Sequence, residues 1–575
     1  MTSKLFKYKR NTFLLILLFT LSFVNYSCVN KLDLYQPDAY AGDGFWTSQN
    51  NALIALAGVY RGRIPINNNN QPDMTDIWSY SGIAYFDLAT DNSYDRRANN
   101  TGTSQLQNLT NGQLTADLAI LGNIWGSLYY RINAANYFLD NIDKVNASAD
   151  VIARMKAEAR FIRATQFFYL TQFWGDVPMP TKVLSIDEAN NIVKTPQNEI
   201  YDFIESEFKA AAQDLPRQKD LAASEIGRAP AQAALGFLGR LYLAKKDWSS
   251  AADVYKQIID YGDNIIDPSY TNIFNDIGIK SNENIFSILY VPNTYANFLP
   301  IQAYPFVAGT FLQGWGFIDP FESLANCYDF TDGTPFSYDN PLYNPNDVEE
   351  NRDPRFHATF ICNNSTFAGI KIYTSPDSSS LGTCTNNGNN PNAGYGSRSG
   401  YLFRKYFDEG WTSTNLAMDY GGGFPVLRYA EVLLSYLEAK IEIGTDLNQD
   451  LLDQTINKIR GRTQVNMPPI LISNLPSGNL QDQLRQITRK ERRIELAFEG
   501  LRWWDIMRWG IADQTLIGDF WGAPFPGSKT TLNLPAGYAP DPYSRWWVCK
   551  KAFRVGKDEK WPIPQSEQNI NPNLR

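Results

Sequence analysis

The sequence predicts an all-α body built from helix pairs and interrupted by large loop-rich excursions with minor β-hairpins. Three observations carry this. Leu118, Leu121, Trp125, Leu128, Ile132, Ala135, Leu139 and Ile142 recur at steps of three or four, which gives one buried helical face. Leu238-Gly239, Tyr242, Ala251 and Tyr255 fall at the Leu-Gly, aromatic, Ala and aromatic offsets of a tetratricopeptide repeat. Residues 263–423 then lose helical periodicity and fill with Pro, Gly, Asn, Tyr and Trp, a composition that marks functional loops.

Taken in order, residues 44–62 read as a helix, with good helix formers from Asn50 to Ala57. Residues 63–116 are loop, marked by Asn67 to Asn70, Asn99-Asn100 and several glycines. Helices return at 117–142, at Val151 to about Phe173 (stopped by Gly175-Asp176-Val177-Pro178), and at Pro196–Leu215, Pro230–Lys245 and Ser249–Tyr261. In the last pair, small Gly239 and Ala251 let two helices approach while Tyr242 and Tyr255 fill the groove beside them. Ile285–Tyr290 and Tyr401–Tyr406 are strand-like. Helices resume at Val426–Ile443, Gln449–Arg462 and Leu480–Glu499, and residues 510–575 read as irregular. No low-complexity linker divides the chain, so residues 28–575 are expected to form one body with its helical core near 44–62, 117–262 and 424–509.

Lys4, Lys7, Lys9 and Arg10 precede an apolar run from Phe13 to Val24 that ends at Ser27-Cys28. A basic start, a short apolar run and a small residue before the cut make residues 1–27 a signal peptide. Cys28 after Ser27 looks like a lipobox cysteine, although Asn25 stands where Leu is usual. The expectation is lipidation at Cys28, against plain secretion with an incidental thiol. Removing the four basic residues of the leader leaves 48 against 60 acidic ones, a balance of −12. Such a chain repels phosphate backbones, so no nucleic-acid partner is expected. The remaining cysteines, Cys327, Cys362, Cys384 and Cys549, form no CxxC pair, and neither metal nor cofactor is expected. A Cys362–Cys384 disulfide is possible in an oxidising compartment. The single histidine, His357, sits in a strand-like alternation and reads as structural, leaving histidine-based catalysis without a centre.

Several ordered segments together resemble the SusD/RagB family of Bacteroidetes outer-membrane nutrient-binding lipoproteins. They are Arg160–Ala164 with Phe173–Pro178, Ser281–Phe286, Leu427–Val432 leading to Glu438-Ala439, Ile459–Arg462, Glu491–Asp505, Trp561–Pro564 and Asn571–Leu574. The resemblance implies about four tetratricopeptide-like helix pairs and a lipid-anchored, surface-exposed lid over a SusC-like TonB-dependent transporter. It also implies capture of a nutrient, usually a glycan and sometimes a peptide, with no catalysis. Family ligand residues vary from member to member, so none carries over here.

Within the signature helix, Glu491, Glu495 and Glu499 lie four apart beside Arg489, Arg492 and Arg493. They read as ionised ion-pair partners with lowered pKa values, not as the acid and nucleophile of a glycosidase. Asp446–Asp450 hints at a calcium loop but lacks its turn glycine and bidentate acid, and reads instead as a helix N-cap.

A glycan platform needs exposed rings for sugar faces and polar side chains for hydroxyls. Loop aromatics are therefore the candidates. One set is Trp78, Tyr80 and Tyr85 with Asp87, Asp91, Asn92 and Arg96; a second is Tyr295, Phe298 and Tyr304 with Asn297, Gln302 and then Trp315; a third is Trp411 and Tyr420. The expected ligand residues are Trp78, Tyr80, Tyr85, Asp91, Asn92, Tyr295, Asn297 and Trp315, against a reading in which each ring packs its own loop. The leading expectation is oligosaccharide capture for a SusC-like transporter. Peptide or glycopeptide capture is the alternative on the same scaffold. A glycoside hydrolase using Asp87 or Asp91, and a helical adaptor that only docks protein, are the rivals from other classes.

Overall fold

The computed structural model describes residues 44–63, 76–97, 102–275, 278–307, 310–377, 396–414, 419–529 and 532–575. The leader, Cys28 and Cys384 lie outside these residues. Eight helices pack each against the next: α1 (Gln49–Arg61), α2 (Ala119–Asn141), α3 (Ala149–Trp174), α4 (Gln197–Asp214), α5 (Ala231–Lys245), α6 (Trp248–Tyr261), α7 (Tyr429–Ile443) and α8 (Leu480–Glu495). Their ends follow local chemistry. Ser48 caps α1 by accepting the N–H of Asn51, and Asp247 caps α6 by accepting that of Ser250. The α5–α6 pair closes as its spacing anticipated: a Cβ on Gly239 would lie 2.4 Å from Cζ of Tyr255. Ala251 and Tyr255 are fully buried between these helices.

The excursion after α6 returns to the helical body through an antiparallel pair, Asn284–Ile288 (β1) with Phe424–Arg428 (β2). This pair carries Glu283 and Arg428 into a buried ionic centre. Arg428 bonds Glu283, Glu495 and Glu499 at 2.7–2.8 Å, Arg462 bonds Glu283 and Glu495 at 2.7–2.9 Å, and Arg355 bonds Glu491 and Glu495 at 2.5–2.8 Å. Burial alone pushes the Glu495 carboxyl up, but Arg428, Arg462 and Arg355 outweigh it and hold it well below the usual carboxylate range. The ion-pair reading of this helix therefore stands, with different partners from its neighbours in sequence. Arg492 turns to Asp505, Arg493 to Asp91, and Arg489 lies over the Trp509 ring.

The C-terminal segment closes the body where Trp561 stacks on Phe173 at 4.0 Å and 10°. Trp503 and Trp504 of a further helix, α9 (Arg502–Trp509), complete this aromatic cluster.

Several local expectations change. Residues 510–575 contain a hairpin of two eight-residue strands, β3 (Ile517–Pro524) with β4 (Arg545–Ala552), whose register shifts on both sides of Trp547. These shifts and the long connecting loop break the alternation that would reveal strands. His357 lies on a short helix, Pro354–Thr359, not on a strand, with Nδ1 2.9 Å from Glu349 Oε2. The strand-like 401–406 shrinks to Leu402–Phe403 paired with Phe360–Ile361. Gln449–Arg462 breaks at Thr455 into two helices, the first capped by Asn448, so the 446–450 segment is an N-cap.

Candidate functional site

One face of α1 presents Leu53, Leu56, Ala57, Tyr60 and Arg61, a three- and four-residue spacing that sets all five in a row. Opposite lie Phe286, Ser287 and Ile288 of β1 and the following turn with Leu289, Thr294 and Tyr295. Buried Trp78 lies at the floor, and Ile226, Gly227 and Arg228 complete the lining. The result is a cleft of about 650 Å³ with a largely apolar wall. Its size suits an oligosaccharide or short peptide.

Three guanidinium groups reach this cleft, and their surroundings differ. Arg131 is 2% exposed, pairs with Asp76, and donates to the last carbonyls of α1, Tyr60 O and Arg61 O, at 3.3 Å. That approach requires Gly62, since a Cβ there would lie 2.6 Å from Cζ of Arg131 and φ is +73°. Arg228 pairs with buried Glu158 and with Glu225. Tyr60 donates to Glu158 at 2.7 Å and accepts the N–H of Ala229 at 2.9 Å, so its hydroxyl is occupied and its ring faces the cleft. Arg61 is exposed and stands with Cζ 5.3 Å over the Tyr295 ring, a cation–π contact at the rim. Tyr295 in turn stacks on Tyr290 at 5.7 Å and 13°.

The structure brings two of the expected residues, Trp78 from the first loop and Tyr295 from the central excursion, into this one cleft. They are not equivalent. Trp78 is 5% exposed, lies parallel to Phe161 and edge-on to Phe286, and has Arg131 over its ring at 5.0 Å. It forms the floor and offers no open platform. Tyr295 is half-buried at the rim.

Four more of the expected ligand residues lie buried and bonded within the protein, away from the cleft. Tyr85 is fully buried and donates to Gln302 at 3.1 Å. Asp91 is bonded by Arg502 at 2.8 Å and Arg493 at 3.0 Å, and these cations overcome its burial to keep it well below the carboxylate range. Asn92 donates to Asp87 and accepts from Arg493, both at 2.9 Å. Asn297 donates to Gly422 O at 2.6 Å and accepts the N–H of Leu299 at 2.9 Å. In each case the loop packs on the body, and its buried polar groups find partners there, most of them far off in sequence. Trp315 is half-buried, outside the cleft lining, with its carbonyl bonded by Arg96 at 2.7 Å, and Gly314 presses on Tyr304 behind it. Its N–H bonds Ile301 O at 2.8 Å, in a stretch of chain that runs beside residues 301–304 and forms no turn. Tyr80 opens a short helix, but its side chain lies outside the described residues. The sequence reading missed Tyr60, Arg61 and Phe286, and the row of cleft-facing positions on α1 was the signal available.

The model described as the SusD family matches residues 273–575, and the one described as "Starch-binding associating with outer membrane" matches 65–243. A crystal structure of a SusD-like carbohydrate binding protein from Bacteroides fragilis is 42% identical, with a TM-score of 0.83, covering 92% of this chain and 100% of that one. SusD-like protein P2 of Formosa agariphila is 26% identical over 82% of each chain. Surface glycan-binding protein A from Bacteroides thetaiotaomicron, solved with laminarihexaose, is 18% identical, with a TM-score of 0.64, covering 92% of this chain and 99% of that one, and so shares the fold.

Proposed function

The chain belongs to the SusD family, and from that premise we propose that it is a surface glycan-binding lipoprotein, anchored through Cys28. In this reading it captures an oligosaccharide and delivers it to a SusC-like TonB-dependent outer-membrane transporter. SusD family proteins bind and do not catalyse. The observation that carries the ligand assignment is the cleft itself: Tyr295 and Arg61, a ring and a strong donor, stand at its rim, and Trp78, Tyr60 and Phe286 add aromatic lining. A sugar presents CH faces to rings and hydroxyls to such donors.

The aliphatic wall of Leu53, Leu56, Ile226, Ile288 and Leu289 favours a second reading, capture of a peptide with apolar side chains. The hydrolase rival loses its residues, since Asp87 and Asp91 are both buried, Asp87 bonded by Asn92 and the Phe498 N–H and Asp91 by Arg493 and Arg502. Calorimetric titration of residues 28–575 with oligosaccharides and peptides, with each mixture assayed for cleavage, tests the proposal. Binding of one glycan class without products supports it. Peptide binding alone, or cleavage, overturns it.

A further inference from the structure

The hairpin β3–β4 carries a second aromatic surface that shares no residue with the cleft. Its two faces differ sharply. Phe520 and Val548 point inward and form a small core with Phe321, against which Trp546 and Tyr94 also pack. Trp521 and Trp547 are directly opposed across the ladder, and opposed residues of an antiparallel pair share a face. Asp519, two residues before Trp521, joins them on that outward side. Neither indole takes part in the core beneath.

The rings on this face are held in place by polar partners. Asp519 Oδ1 accepts from Trp547 Nε1 at 2.9 Å and from the Tyr538 hydroxyl at 3.0 Å. The Tyr538 and Trp547 rings stand 6.4 Å apart and nearly perpendicular, at 71°. Arg545 places Cζ 4.8 Å over Trp521 and 5.5 Å over Tyr543, and its guanidinium is fixed by Glu322 at 2.8 Å and Asp541 at 2.7 Å. Tyr543 stacks on Tyr338 at 4.1 Å and 17°. Tyr538 and Tyr543 nevertheless leave 38% and 40% of their surface to solvent.

We infer that this outward face is a second carbohydrate-binding surface, one that engages sugar rings of a longer glycan outside the cleft. A carboxylate has about four acceptor positions, so Asp519 retains capacity for a sugar hydroxyl while it orients Trp547 and Tyr538. The rings are already ordered, so binding costs little rotamer freedom. Charged groups stand between the rings: Asp519 between Tyr538 and Trp547, Arg545 between Trp521 and Tyr543. That alternation matches the CH faces and hydroxyls of a sugar. Two surfaces on one chain raise the affinity for a polymer above that for a fragment that fills one of them.

The test uses the mature chain, residues 28–575, on a glycan array with matched long polysaccharides and hexasaccharides, laminarihexaose and maltohexaose included. Tyr538→Ala and Asp519→Asn are the hairpin variants, chosen because they spare the inward core; Tyr295→Ala is the cleft variant. The expected result is that each hairpin variant loses about tenfold in affinity for a polysaccharide that the wild type binds, with an unchanged melting temperature. The cleft variant should keep a residual polysaccharide signal that the double variant lacks. Hairpin variants that match the wild type on every glycan, or that alter only self-association in sedimentation, overturn the inference and leave the cleft reading intact. A wild type that binds no glycan overturns both.

Discussion

Asp87 Oδ2 accepts the backbone N–H of Phe498 at 2.6 Å, bonding the first loop to the turn after α8 across 411 residues of chain. Phe498 holds φ at +62°, in the left-handed region that a bulky residue seldom enters. The carboxylate therefore fixes a turn that the local sequence disfavours, next to the ends of the Glu495 and Glu499 ion pairs. Asn92 steadies the same oxygen from the other side at 2.9 Å.

Replacing that acceptor leaves a buried N–H unpaired, and Asp87→Ala is expected to lose about 1–3 kcal/mol in chemical unfolding. The residue also sets a pH dependence. Burial raises its carboxyl to about 6, with Asn92 and Phe498 pulling the other way. A raised folded value gives a contribution fully present below about pH 4 and lost as the pH climbs through about 6. Asp87→Asn removes the titration, so its unfolding free energy should lack the wild-type decline across that window.

The ionic centre titrates in the opposite sense. Glu495 is held below the usual range by Arg428, Arg462 and Arg355 against its burial, and Glu499 by Arg428 and Lys405. A depressed folded value gives stability that is present above about pH 4 and lost as the pH falls through the folded value. Glu495→Gln leaves three buried guanidinium groups short of a carboxylate and should cost about 3–5 kcal/mol at neutral pH. It should also shrink the acid-side loss measured in urea titrations between neutral and acid pH.

Gly239 has no room for a side chain against the Tyr255 ring. Gly239→Ala should push α5 and α6 apart and cost about 1–3 kcal/mol, seen as a lower urea midpoint at an unchanged slope. An unchanged midpoint would mean that the ring yields freely and that the repeat-like packing is looser than the contact implies.

What could be read from the chain follows from what its residues face. The periodic apolar residues of α2 and the Gly239–Tyr255 offsets report helix packing directly, because one face of each element is buried. The loops gave no such report. Tyr85, Asp91, Asn92 and Asn297 have the composition of an exposed site, yet their segments fold back on the body and bury them. Burial of an irregular segment leaves no period in sequence. Arg61 went unread because it sits at a helix end, where a basic residue is ordinary. The β3–β4 hairpin was hidden by its bulges around Trp547.

Those errors bear on the cleft, where Trp78 and Tyr295 are expected to part company. Trp78 has Phe161 and Phe286 against its ring, Arg131 over it, and Tyr169 Oη 3.4 Å from its indole nitrogen. Trp78→Ala should therefore act on the fold, costing about 3–5 kcal/mol, and any loss of binding should follow the loss of folded protein. Tyr295 rests on Tyr290 at the rim, with Arg61 over its ring. Removing either rim group takes away one aromatic ring or one charged donor, worth about 1–1.4 kcal/mol, or about five- to tenfold in affinity. Tyr295→Ala and Arg61→Ala should thus weaken oligosaccharide binding in calorimetry while the melting temperature holds. Full affinity in both variants would remove the rim from the ligand site and move the search to the hairpin face.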